Sequence, residues 1–265
     1  MCIIIVAPPG KMIDIDQLVD ATYENPDGSG WAMRTPHGIE TVRSAASIDH
    51  VLGSFLACRE QNPNQWAVWH SRLATQGRLT DVNTHPYPVP NRPWVLAHNG
   101  ILPLNDGPFT GLDRSDSRIL AEDIISEATW EELRAERGRF ESWLQGDKVV
   151  ILSERKERGG SCLIFNEGNG HWAADGCWYS RKYLSVGTCV TCHQRKARCT
   201  CAWSKYGRGY SQTTWDDEEE YSHWWEQADA KDVAADEADA YAIAMAALTP
   251  SDDDVVVDGE VVSDA

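Results

Sequence analysis

Short apolar blocks punctuate the first 165 residues. Six of them, "CIIIVA" at 2–7, "GWAMR" at 30–34, "QWAVWH" at 65–70, "WVLAH" at 94–98, "KVVILS" at 148–153 and "SCLIF" at 161–165, are too short for helices. Most are bounded by Pro, Gly, Asn or Asp, and they predict strands. Between them, residues 13–23 and 47–60 space apolar side chains at helical intervals, with Asp14 and Ser47 as N-terminal caps. "SDSRILAEDIISEA" predicts a further helix opening at 115–117. Strands separated by helices in this way suit a layered domain built from both.

Near residue 186 the pattern changes. Residues 181–208 contain seven Lys or Arg and no acid, interleaved with Cys189, Cys192, Cys199, Cys201, Trp203 and Tyr206. After "WDDEEE" the chain turns acidic and alanine-rich, with helical spacing at 224–248 and a charged end. The formal charge of -17 belongs to this last part: residues 216–265 hold 17 acids against the single Lys231, and residues 1–215 hold 24 acids against 23 bases. The expected organisation is a domain at 1–186, a basic Cys-rich module at 187–215 and an acidic, largely disordered tail at 216–265. With 265 residues and 42% hydrophobic content, one sizeable core is affordable. Neither an apolar run of ~18 residues nor a basic stretch leading a short apolar run is present, so a cytoplasmic chain with no membrane partner is expected.

Three places carry chemistry. Removal of Met1 makes Cys2 both a thiol nucleophile and an α-amine of pKa ~7.7–8, a general base near working pH; a buried core cysteine is the plain alternative. "LAHNGIL" at 96–102 sets the amide of Asn99 beside the open backbone N–H of Gly100, the two donors an oxyanion hole needs, although Asn-Gly after an apolar run also fits a hairpin turn. Arg72, in "WHSRLATQG" at 69–77, and Asp116, in "RSDSR", suit the carboxylate and ammonium ends of an α-amino acid; each alone also reads as an ion pair or a helix cap.

In this order, Cys2, "NPDGSGWA", "HSRLATQG", "NTHPYPV", "AHNGIL" and "SDSRILAED" resemble the class II glutamine amidotransferases of the N-terminal-nucleophile hydrolase superfamily, over about residues 2–180. The compact form, with "NPDG" near residue 25 and "HWAADGCWYS" near the end, is most similar to free-standing members often encoded by bacteriophages, which implies a host cytoplasm. The resemblance implies an α+β domain, a four-layer αββα sandwich. It makes Cys2 the nucleophile and its amine the base, with Asn99 and the Gly100 N–H as oxyanion hole. Arg72 would take the glutamine α-carboxylate and Asp116 the α-amino group, with Thr75 and His85 lining the pocket. It further implies hydrolysis of the glutamine side-chain amide through a γ-glutamyl thioester, with no catalytic cofactor. With no P-loop or Gly-rich nucleotide loop in the remaining residues, the ammonia needs a separate acceptor synthetase. Ile3 and Leu73 depart from the glycine and the aromatic that larger members often carry there.

Two alternatives stand beside this reading: a γ-glutamyl amide hydrolase acting on a small metabolite, and a non-catalytic module whose basic stretch binds nucleic acid by phosphate contact and stacking. The spacing C-x2-C-x6-C-x-C of Cys189, Cys192, Cys199 and Cys201 resembles a zinc knuckle and predicts a structural zinc. Residues 199–201 must then turn sharply, or His193 must replace one thiolate, because i and i+2 on a regular strand stand ~6.6 Å apart.

Overall fold

The computed structural model describes residues 2–102, 104, 114–157 and 160–181. The predicted Cys-rich module, its zinc ligands Cys189, Cys192, Cys199 and Cys201, and the acidic tail lie outside the described residues.

All six predicted strands form, as β1 (Ile3–Ala7), β2 (Ser29–Thr35), β4 (Ala67–Ser71), β6 (Trp94–Asn99), β7 (Lys148–Ser153) and β8 (Cys162–Phe165). Four more join them: β3 (Gly38–Ser44), β5 (Tyr87–Val89), β9 (His171–Trp172) and β10 (Trp178–Tyr179). They make two antiparallel sheets, one in the order β3-β2-β4-β1-β10-β9 and the other β5-β6-β7-β8.

The alternation of side chains along the strands builds the layers. On β1, Ile3, Ile5 and Ala7 pack with Trp31, Met33 and Trp69 against Leu18, Val51 and Phe55 of the helices α1 (Ile15–Glu24) and α2 (Ile48–Gln61). Ile4 and Val6 point the other way, into a second cluster with Val95, Ala97, Val150, Leu152 and Ile164 of the facing sheet. Trp94 and Leu96 of β6 leave that sheet's far side to meet Ile124, Trp130, Leu133 and Phe140. Those come from α3 (Asp116–Ile119) with its π-helical continuation Leu120–Ile125, from α4 (Trp130–Ala135) and from α5 (Arg137–Trp143). The order of layers is therefore helix, sheet, sheet, helix. "CIIIVA" reads as an unbroken apolar run because both faces of β1 are covered.

Capping fixes where the helices start. The Asp14 carboxylate accepts from the Asp16 N–H at 2.8 Å, and the Ser47 hydroxyl from the His50 N–H at 3.4 Å. Ser115 does the same for Arg118 at 3.2 Å, which places Asp116 in the first turn of α3. No helix of the described residues is long and apolar enough to cross a membrane. Cys2, Cys58, Cys162 and Cys177 are free thiols.

Candidate active site

Antiparallel pairing puts the start of β1 beside the ends of β4 and β10, since Ile3 faces Ser71 and Ile5 faces Tyr179. Cys2 enters the domain at that edge. It is 8% exposed, and its thiol points at the Leu73 carbonyl, 3.6 Å away. Burial raises the Cys2 pKa, while the positive charge of Arg72 lowers it and the negative charge of Asp116 raises it. Arg72, Asp116 and the nucleophile candidate thus share one electrostatic neighbourhood. At neutral pH Cys2 rests as a thiol and needs a base to ionise it.

The end of β4 is held by the loop after α1. The Asn25 side chain donates to the Ser71 carbonyl at 3.1 Å, the Asp27 N–H to the Arg72 carbonyl at 3.1 Å, and the Ala74 N–H to the Asp27 carboxylate at 2.8 Å. That interlock explains why "NPDG" accompanies "HSRLATQG". Arg72 is 2% exposed, and its guanidinium donates to the carbonyls of Gln76, Gly77 and Arg78 at 2.7, 3.0 and 3.1 Å. Three of the five N–H groups of an arginine are used this way. Thr75 sits on the same loop with its side chain exposed.

The chain leaving β6 is gripped by two carboxylates. Asp147 accepts from the Ile101 N–H at 2.9 Å and Asp116 from the Leu102 N–H at 2.7 Å. Between β6 and these bonds, the Gly100 N–H meets no acceptor among the described residues. Gly100 itself is dictated by the crowding: a Cβ there would stand 1.8 Å from the Asp147 carboxyl carbon. Instead of making the hairpin that Asn-Gly often makes, residues 100–102 are held against Asp147 and against Asp116 of α3. Asp116 spends its other oxygen on the Ser117 N–H and hydroxyl, at 2.6 and 3.0 Å. Three of about four carboxylate lone-pair sites are filled.

Asn99 is 1% exposed. Its Nδ2 donates to the Ser180 hydroxyl at 2.8 Å, while its Oδ1 is buried without a partner. Three buried histidines lie beneath. The His70 Nε2 donates to the His98 carbonyl at 3.1 Å, which fixes its tautomer and leaves Nδ1 bare and unpartnered. The His85 ring stacks on His70 with centroids 3.9 Å apart, and neither of its nitrogens has a partner. Burial pushes His70 down to about 3 and His85 well below the usual imidazole range. Both are therefore neutral and too weak to serve as bases at neutral pH. His98 bonds Ser117 at 2.8 Å through Nδ1, and its Nε2 lies 3.5 Å from Asp147. Tyr87 tilts against His85 at 4.4 Å and reaches the Asn83 carbonyl and the Ser115 hydroxyl at 2.7 and 2.8 Å.

Two surface hollows lie elsewhere. One of about 450 Å³ is bounded by Trp66, Arg134, Arg137 and Trp172, and one of about 250 Å³ by Arg43, Tyr87 and Arg118. Neither has Cys2, Asn99 or Asp116 in its wall. Buried polar atoms without partners converge instead around Asn99, His70 and His85, and that convergence marks the site better than hollow size does. Sequence reasoning missed Asp147, His70, His98 and Ser180. Ser180 is 81 residues from Asn99 in the chain and ends the "HWAADGCWYS" stretch, which marks the place but not the pairing with Asn99.

Residues 21–124 match the model of a family described as glutamine amidotransferases class-II. The chain is 34% identical over 89 residues to glutamine–fructose-6-phosphate aminotransferase [isomerizing] of Thermus thermophilus, and 30% identical over 88 residues to the protein of that name from Chlamydia caviae. Each match takes in 33% of this chain and 14% of the relative, so the chain spans a small part of these proteins. Among solved structures, glutamine phosphoribosylpyrophosphate amidotransferase from B. subtilis, complexed with ADP and GMP, aligns with 68% of this chain and 41% of its own, at 15% identity and a TM-score of 0.40. Over residues 21–124, then, the match is to a class II glutamine amidotransferase domain.

Proposed function

We propose that the chain hydrolyses the side-chain amide of glutamine with Cys2 as nucleophile and passes the ammonia to a separate acceptor enzyme. The observation that supports this reading is that Arg72 and Asp116 both act on the buried Cys2 thiol through their charges, while Ser180 ties Asn99 to Ile4 of the Cys2 strand and Asp116 holds Leu102 just beyond Gly100. Arg72 offers its charge to the α-carboxylate, and Asp116 its charge to the α-ammonium. The Cys2 sulfur then attacks the amide carbon. The carbonyl oxygen becomes an oxyanion, which takes hydrogen bonds from Asn99 Nδ2 and the Gly100 N–H. The base is the Cys2 α-amine, because burial leaves His70 and His85 too weakly basic to take the thiol proton; this requires Met1 to be removed. That amine takes the thiol proton and delivers it to the departing ammonia, and water cleaves the thioester to glutamate. His85 and Thr75 would complete the pocket wall.

For residues 187–215 the proposal is a structural zinc on Cys189, Cys192, Cys199 and Cys201, apart from the chemistry, on the strength of their spacing.

Purified protein is expected to release ammonia from glutamine. Arg72→Ala should mainly raise KM, because its contact persists from ground state to transition state, whereas Asn99→Ala should lower kcat by ~100- to 1,000-fold. Cleavage of a γ-glutamyl amide with glutamine inert would replace this function by the hydrolase alternative. Inertness toward both would leave the nucleic-acid-binding module.

A further inference from the structure

We infer that Ser180 is a positioning residue that holds the oxyanion donor Asn99 in register with the nucleophile strand; this rests on the glutamine-hydrolysing function proposed above. The Ser180 hydroxyl, 1% exposed, accepts from two donors at once: the Ile4 N–H at 2.9 Å and Asn99 Nδ2 at 2.8 Å. Its own N–H returns to the Ile4 carbonyl at 2.9 Å. Ile4 stands two residues after Cys2 on β1, and Asn99 ends β6 of the other sheet. One oxygen therefore links the strand that carries the sulfur to the amide that must face the oxyanion.

A carboxamide nitrogen has two N–H groups in one plane. With the first anchored on Ser180, the direction of the second is fixed before glutamine arrives. That is where preorganisation acts, since a donor already aimed at the developing charge loses nothing to reorientation during the reaction. Asn99 has no other fixed partner to aim it, because its Oδ1 is unpartnered. Deleting the Ser180 hydroxyl leaves the backbone bond to the Ile4 carbonyl intact, so the β1–β10 pairing survives while the Asn99 side chain is freed to rotate.

The test compares kcat and KM for glutamine in wild type, Ser180→Ala, Ser180→Cys, Asn99→Ala and the Ser180→Ala/Asn99→Ala double variant, with thermal unfolding of each. Ser180→Ala is expected to lower kcat by ~10- to 100-fold, less than loss of the donor itself, with KM changed by less than about twofold. Ser180→Cys fills the same space with a weak acceptor. It should lose turnover as Ala does, and it carries the test should Ser180→Ala fail to fold. In the double variant, the second substitution should cost less than about twofold, because there is no amide left to aim. Wild-type kcat in Ser180→Cys, or losses that multiply in the double variant, would overturn the inference. A wild-type protein inert toward glutamine would instead overturn the function on which it rests, so the two failures are distinguishable.

Discussion

Gly100 shows how one residue can decide a site. Its missing Cβ lets the Asp147 carboxylate approach the backbone closely enough to take the Ile101 N–H, while Asp116 takes the next one. These two bonds hold the segment after Asn99 and leave the Gly100 N–H as the donor that faces no protein acceptor among the described residues. Gly100→Ala is expected to displace Asp147, break its bond to Ile101 and turn the donor away. Turnover should fall by ~100-fold or more, the scale of losing one oxyanion donor, while the domain remains folded. Steady-state kinetics beside a thermal melt will check this, and a variant with normal kcat would mean that Gly100 donates nothing to the reaction.

At the scale of elements, what was legible in the sequence followed from burial. The six predicted strands carry apolar runs because the sheets they belong to are covered on at least one face, and the caps Asp14 and Ser47 announced their helices, whereas the helix expected to open at 115–117 is capped by Ser115 and not by Asp116. The strand β3 escaped notice because its side chains are only half covered, so "GIETVRS" has a weak pattern. The helix α4 had a readable signal that went unused: Thr129 and Glu132 form a reciprocal capping box. The strands β9 and β10, of two residues each, have no pattern to read. For the candidate site, Cys2, Arg72, Asn99, Gly100 and Asp116 were nominated from the sequence because each residue type names its chemistry. Their supports were not, since Asp147 and Ser180 act through pairings set by the tertiary fold.

The strand ends also predict a pH dependence. Burial pushes the His70 pKa down to about 3 and that of His85 well below normal, against ~6.5 in the unfolded chain. Above that value both states hold neutral imidazoles, and the full stability is present. As pH falls through the window from ~6.5 toward 3, the unfolded chain takes up protons that the folded one refuses. Stability then drops by ~1.4 kcal/mol per pH unit for each histidine. His85→Asn should flatten the slope by that amount between pH 6 and pH 4.5, as read from urea midpoints. Equal slopes would mean that His85 titrates normally in the fold.

For the whole molecule, the layering explains the position of the site. Two sheets packed face to face, each backed by helices, bring the ends of β4, β6 and β10 to the start of β1, and the proposed groups Cys2, Arg72, Asn99 and Gly100 sit at those ends, with Asp116 in the first turn of α3. The family match at residues 21–124 spans Arg72, Asn99, Gly100 and Asp116 but neither Cys2 nor Ser180. The nucleophile is therefore the part of the account that most needs its own measurement. Burial pushes Cys58 up to about 11 and both Cys162 and Cys177 up to about 12, and it raises Cys2 as well, so selective labelling of Cys2 has to come from the glutamine site and its base rather than from thiol acidity. Intact-mass and peptide analysis after reaction with a diazoketone analogue of glutamine tests the claim most directly. The predicted result is a chain that lacks Met1 and carries one adduct, on Cys2, whose formation free glutamine slows. A glutamine-hydrolysing protein that keeps Met1, or an adduct that forms elsewhere and leaves Cys2 free, would contradict it.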